Sequence, residues 1–236
     1  MRTIGLLGGV SWESTAVYYR TLNELTKQRL GETHSCPLLL YSFDFEPLRQ
    51  FSFAEDWAAI SALMCEQAKR LEAAGADCML ICANTMHRIA EDVQAGIGIP
   101  LISLVDAVGA EAKRLGLRRV GVLGTKYTMQ GEFYAGRLVS HSGLGVLVPN
   151  LQDQAFVNSS IYDELTLGQF TESTRSTTRE IIGRLVERGA EGVILGCTEL
   201  PMLLSPADAD VPLLDTTQLH CRAAFEFATS FTPHGD

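Results

Sequence analysis

The chain has 236 residues, 46% hydrophobic and 20% charged, the make-up of an ordinary folded globular protein rather than a disordered one. Nineteen Lys and Arg against 28 Asp and Glu leave a formal charge of −9, which repels a phosphate backbone. The densest basic cluster, Lys113, Arg114, Arg118 and Arg119, is broken by Leu-Gly-Leu, so nucleic acid is excluded as a partner. No run approaches the ~20 apolar residues of a membrane span, and the first ten residues are too short and Gly-rich an apolar stretch for a signal peptide. The six cysteines, Cys36, Cys65, Cys78, Cys82, Cys197 and Cys221, form no CxxC pair and no paired zinc-ligand spacing. The expectation is a reduced, cytoplasmic protein with free thiols, no metal and no membrane partner.

Short apolar runs recur along the chain: Thr3–Gly8, Leu38–Phe43, Cys78–Cys82, Pro100–Ser103, Val120–Gly124, Gly145–Val148, Val193–Cys197 and Pro212–Leu214. Continuous runs of this length suit strands covered on both faces of a parallel sheet. Helical patterns lie between them. Trp57, Ile60, Met64, Ala68 and Leu71 form one stripe ending near Gly75, and Ile181, Ile182, Leu185 and Val186 form another before Gly189. The hydroxyl-rich stretch Thr171–Thr178 reads as the start and solvent face of that second helix, and Thr232–Asp236 as a disordered end. Alternating strands and helices predict an α/β fold with parallel sheets.

The chain also repeats itself. Gly75-Ala76-Asp77-Cys78-Met79-Leu80-Ile81-Cys82-Ala83-Asn84-Thr85 is echoed by Gly189-Ala190-Glu191-Gly192-Val193-Ile194-Leu195-Gly196-Cys197-Thr198-Glu199 at an offset of 114. Ile4–Gly8 is echoed by Val120–Gly124 at 116, and Ile99–Ile102 by Val211–Leu214 at 112. Three matches in order predict two related α/β domains, one of residues 1–97 plus 208–236 and one of residues 98–207. Strand C-termini from both would then line a cleft between them, the usual ligand position in open α/β sheets.

Each half ends its repeated strand in a polar cluster, Ala83-Asn84-Thr85 in the first and Cys197-Thr198-Glu199 in the second. Amides and hydroxyls there suit a carboxylate. A thiol at a helix N-terminus is expected to have a lowered pKa, so that Cys197 acts as general base or nucleophile. The alternative reading makes Cys197 a small core residue closing a strand.

Three motifs together resemble the aspartate/glutamate racemase family: Gly8-Gly9-Val10-Ser11-Trp12-Glu13-Ser14-Thr15, Asn84-Thr85-Met86-His87 and Gly196-Cys197-Thr198-Glu199. The resemblance runs over most of the chain, including Leu123–Met129 and Leu167–Phe170. It implies two pseudo-twofold-related α/β domains, a homodimer, and cofactor-independent proton transfer at Cα with one cysteine on each side of an amino acid. It also implies that Ser11, Asn84, Thr85, Thr125, Thr128, Thr198 and Glu199 bind substrate. Ser11 and Thr128 read equally well as helix caps. Glu199 reads as a partner for the substrate ammonium, as a group holding Cys197 in its thiol form, or as a first-turn acid. Lys126 and Arg49 are candidates to meet a side-chain carboxylate; if both prove exposed, a neutral side chain is favoured.

One position departs from the pattern. The family's first cysteine stands directly before Asn-Thr, and here that residue is Ala83. The repeat independently aligns Ala83 with Cys197. Strand alternation turns the neighbouring Cys82 to the opposite face. Three readings follow: a racemase with Cys197 as its one thiol and Cys82, His87 or water on the other face; a single-cysteine decarboxylase, as the related arylmalonate decarboxylases suggest; or a ligand-binding paralogue with impaired catalysis. His87 reads otherwise as a helix-surface or supporting residue.

Overall fold

The structure is a computed structural model that describes residues 1–230; the expected disordered end, Thr232–Asp236, lies outside them. Two compact units are present, Met1–Ser103 with the C-terminal segment from His220, and Leu104–Leu219.

In the first unit, β1 (Ile4–Gly8) lies between β2 (Leu38–Ser42) and β3 (Cys78–Ile81), all parallel. Leu101 adds a single parallel bridge to Met79. In the second unit, β4 (Arg119–Gly124), β5 (Gly145–Leu147), β6 (Gly192–Gly196) and β7 (Leu213–Asp215) make a parallel sheet of order β5-β4-β6-β7. The order is that of the first sheet, with β7 standing where Leu101 stands. The Met79–Leu101 bridge and the Val193–Leu213 pair sit at equivalent places, as the repeat requires. The expected strand at Pro100–Ser103 shrinks to one bridge, in which the Met79 amide donates to the Pro100 carbonyl and the Ile102 amide to the Met79 carbonyl (2.9 Å each), while the Leu101 amide on the far edge donates to the Gln94 side chain (2.7 Å).

The same pairings move the domain boundaries from those expected. Leu101 keeps residues 98–103 with the first sheet, and β7 keeps residues 208–215 with the second. The crossings therefore fall after Ser103 and after Leu219, not at 98 and 208.

Helices cover the strands: α1 (Trp12–Leu30), α2 (Phe45–Phe53), α3 (Trp57–Ala73) and α4 (Ala90–Gly96) in the first unit. The second unit has α5 (Leu104–Arg114), α6 (Lys126–Gln130), α7 (Glu132–Ser142), α8 (Leu151–Asp163), α9 (Glu172–Glu187) and α10 (Leu200–Leu203). The last helix, α11 (Thr216–Thr229), begins in the second unit and ends in the first. Asp56 caps α3 and Thr171 caps α9, each side chain accepting an amide in the first turn. Thr174 and Thr178 are buried, so the hydroxyl-rich start of α9 is not only a solvent face.

Strand alternation sorts the core. Met79, Ile81 and Ala83 pack with Ile60, Met64 and Ala68 of α3, while Cys78, Leu80 and Cys82 pack with Tyr18 and Leu22 of α1 and Cys221 and Ala224 of α11. In the second unit Val193, Leu195 and Cys197 join the Ile181–Leu185 face of α9, and Ile194 joins Val105 and Val108 of α5. A fully buried aliphatic side chain contributes about 1.5–3 kcal/mol, whereas an exposed ion pair such as Arg70–Glu66 contributes about 0–1 kcal/mol. Burial on both sheet faces thus dominates the stability of each unit.

The turn after β1 is shaped by Gly9, whose φ is +84°. A Cβ there would lie 2.3 Å from the Phe43 carbonyl oxygen and 2.5 Å from the Phe43 nitrogen, backbone atoms that cannot step aside. Gly9→Ala is expected to cost about 3 kcal/mol or more, combining left-handed strain with that clash. Urea unfolding would read this as a lower midpoint at unchanged m; a loss below about 1 kcal/mol would contradict it.

Candidate active site

At the tip of β6, the Cys197 thiol donates to Glu199 Oε2 (2.8 Å), and the Thr198 hydroxyl donates to the same oxygen (2.8 Å). Glu199 is buried and Cys197 half-buried. Burial pushes the Cys197 thiol well above its ordinary pKa, and the Glu199 carboxylate adds to the rise, first by its charge and then by its hydrogen bond. The backbone amides of Thr198 and Glu199 act the other way and do not offset it. This overturns the expectation of a lowered pKa: α10 has only four residues and begins three positions later, while a buried carboxylate touches the sulfur. At rest the group is a thiol whose proton points at a carboxylate.

β4 ends beside this cluster. Thr125 caps α6, its hydroxyl accepting from the Thr128 amide (3.4 Å) and lying 3.3 Å from the Thr128 hydroxyl. The cap is therefore Thr125, and Thr128 is a buried residue of the first turn, one helical turn later than the expected assignment. A Cβ on Gly124 would meet the Gly196 carbonyl oxygen at 2.9 Å and Thr128 Cβ at 3.1 Å, so Thr128 sits where the tips of β4 and β6 converge. Sheet order and side-chain contacts thus bring Thr125 and Thr128 to the strand end that carries Cys197, Thr198 and Glu199.

In the first unit, Ala83 and Asn84 are buried and a 3-10 helix, Thr85–Ile89, follows. Ser11 caps α1, accepting the Ser14 amide, in keeping with its capping reading. Two hydroxyls missed in the sequence hold this end together. Thr15 accepts the Gly9 amide (2.7 Å) and donates to the Ser11 carbonyl (2.9 Å), and Ser14 donates to the Cys82 carbonyl (3.0 Å). Hydroxyls in a helix's first turn give no sequence signal beyond capping.

Cys82 faces the α1–α11 side of the sheet with no exposed surface, and burial drives its pKa far up. It shares that face with Cys78 and Leu80, opposite to Ala83. His87 is buried rather than on a helix surface, and its Nδ1 lies 2.9 Å from the Ala83 carbonyl oxygen. Lys126 is exposed, its ammonium 4.8 Å from the Tyr127 ring centre, and Arg49 is bound to Glu46 by two hydrogen bonds of 2.7 and 2.8 Å. Among the described residues no group of three or more His, Cys, Asp and Glu side chains is arranged to hold a metal, and no helix is long and apolar enough to cross a membrane.

Glu199 controls the thiol in a testable way. Glu199→Gln removes the negative charge that raises the Cys197 pKa, so the rise of iodoacetamide alkylation with pH is expected to move to lower pH. An unmoved profile would show that burial alone sets the thiol's state.

The sequence model of the Asp/Glu/hydantoin racemase family matches residues 7–224. A candidate Asp/Glu racemase from Yersinia pestis superposes with a TM-score of 0.91 at 42% identity, over 97% of this chain and 99% of that one. An aspartate racemase homologue from Pyrococcus horikoshii OT3 gives a TM-score of 0.85 at 36% identity, over 97% and 100% of the two chains. The broad-specificity amino-acid racemase RacX of Bacillus subtilis is 24% identical over 226 residues, 91% of this chain and 92% of RacX. A match across nearly the whole length, with both strand-tip motifs inside it, leaves one conclusion: the chain belongs to the Asp/Glu/hydantoin racemase family.

Proposed function

We propose that the protein is a cofactor-independent amino-acid racemase that exchanges the Cα proton through a single thiol, Cys197, with Ala83 at the position of the second. The observation that carries this reading is the Cys197–Glu199 hydrogen bond at the tip of β6, in a chain whose equivalent residue in the other half is alanine. Glu199 takes the thiol proton as the sulfur draws the Cα proton; the same pair returns a proton to that face of the carbanion, giving exchange with retention, and a water on the opposite face delivers the proton that gives inversion, its hydroxide then taking up the proton held by the Cys197–Glu199 pair. No group is oxidised or reduced in this cycle. Asn84, Thr85 and Thr198, with Ser11, Thr125 and Thr128, are the proposed hydrogen-bonding groups for the substrate carboxylate, where negative charge grows as the proton leaves.

An acidic side chain gets little support. Arg49 is committed to Glu46 and Lys126 lies at the surface. Neutral amino acids therefore belong in the substrate range beside Asp and Glu, as the name of RacX suggests for that relative. A homodimer and a cytoplasmic location complete the proposal, the latter supported by six free thiols.

The test is incubation of each enantiomer of Asp, Glu and a panel of neutral amino acids in D₂O, following Cα deuteration and inversion together. A one-thiol site is expected to exchange one enantiomer with retention faster than it inverts it. Equal, fast inversion from both enantiomers would overturn the single-thiol reading. The lone thiol also suits protonation of a carbanion left by loss of carbon dioxide. Release of carbon dioxide from aryl- or alkylmalonates, without amino-acid exchange, would select that lyase reading. Binding of amino acids without either reaction would select a ligand-binding paralogue.

A further inference from the structure

The first unit buries a pair of histidines that the proposed proton transfer does not use. Each has its tautomer fixed by a carbonyl, which can only accept. His220 Nε2 lies 2.7 Å from the Ile102 carbonyl oxygen, so Nε2 carries the proton and Nδ1 accepts from the Tyr18 hydroxyl at 2.8 Å. His220 is fully buried, and burial, helped by neighbouring His87, lowers its pKa to about 3, so it stays neutral at ordinary pH. Its ring meets the edge of His87 with centroids 5.6 Å apart and planes at 69°. His87 is thereby backed by a ring that is itself tied to α1 and to the segment following Leu101.

His87 Nδ1 lies 2.9 Å from the Ala83 carbonyl oxygen, so it donates there. That carbonyl belongs to the peptide joining Ala83 to Asn84, the first residue of the Asn-Thr turn. A second bond, from the His87 amide to the Asn84 carbonyl (3.0 Å), grips the next peptide. Two successive peptide planes are thus held by one residue, and between them lies the Cα from which the Asn84 side chain departs. Rotation of either plane would swing that side chain, and a misplacement of about 1 Å can cost about 100-fold in rate.

We propose that His87 is a positioning residue, not the replacement acid–base group: through the Ala83 carbonyl it sets the direction of Asn84 and Thr85 toward the substrate carboxylate. The inference rests on the proposed function, since it assigns those two residues to the carboxylate. His87 touches no reacting atom in this role; its Nδ1 proton stays on nitrogen throughout.

The conservative variants separate this role from general stability. Asn places an amide NH₂ where Nδ1 stands, whereas Gln places it nearer Nε2. His87→Asn is expected to keep kcat for Cα deuteration within about threefold of the parent, while His87→Gln and His87→Ala lose about 10- to 100-fold in kcat with KM changed less. Equal rates for the Asn and Gln variants would overturn the proposal. The unaltered protein gives a check independent of any variant's folding: long-range ¹H–¹⁵N correlation should find a proton on His87 Nδ1, and a proton on Nε2 alone would overturn the proposal. Cys197→Ala run alongside keeps the two claims apart. If that variant still exchanges like the parent, the proposed function fails; if it is inactive while the Asn and Gln variants match, only the role of His87 fails.

Discussion

Cys197→Ala is expected to lower Cα–H exchange by about 10²–10⁴ for every amino acid the protein accepts, the range that a positioned acid–base group supplies. The loss should fall on kcat, because the methyl group removes the proton carrier and leaves the hydroxyls and amides proposed for the carboxylate in place. Folding should survive. Cys197 is half-buried at the end of β6, and the sheet pairing stops at Gly196. The variant does leave Glu199 without its thiol donor, yet Thr198 still donates to the same carboxylate oxygen. Cys197→Ser retains a donor for Glu199 while raising the acidity barrier, so it should be as slow as alanine if sulfur chemistry is what matters. Exchange at the parent rate in both variants would remove the thiol from the mechanism.

Ala83→Cys is expected to act in the opposite sense, raising inversion by about 100-fold or more and bringing the two directions toward equality. The argument is positional. Met79, Ile81 and Ala83 occupy one face of β3 as Val193, Leu195 and Cys197 occupy the matching face of β6. A sulfur at 83 would therefore restore the arrangement that the repeat displays once. Cys82 cannot serve, since it lies on the other face among Leu80, Tyr18 and Cys221. Retention with exchange, the mark of one-sided chemistry in the parent, should fade in the variant. A folded Ala83→Cys protein with no gain in inversion would mean that position 83 is not the second acid–base position.

The architecture was legible because parallel strands covered on both faces need unbroken apolar runs, and such runs are local. The repeat was legible for a related reason: Met79 and Val193 must each present a neighbour to the next strand, and both do. The direction of Cys82 followed from alternation alone. The state of Cys197 did not, because its pKa depends on how deeply the sulfur is buried and on where the Glu199 carboxylate turns, neither of which is a property of spacing. The histidine pair was hidden for a stronger reason. Tyr18 and His220 lie 202 residues apart, and only the return of α11 to the first unit brings them within hydrogen-bond distance. Thr128 reads as a cap from the sequence, but the cap of α6 is Thr125, three residues earlier, because either threonine can offer a hydroxyl to a first-turn amide and spacing does not say which does.

The path of α11 bears on how the chain comes into being. The second unit is an uninterrupted segment, Leu104–Leu219, whereas the first unit needs Cys221, Ala224 and Ala228 to close one side of its core. A ribosome releases residues in order, so the first 103 wait, with β1 and β3 lacking that cover, until the final helix emerges. A nascent chain halted before His220 would carry every residue of the second unit while the first still exposed an unfinished apolar surface to chaperones.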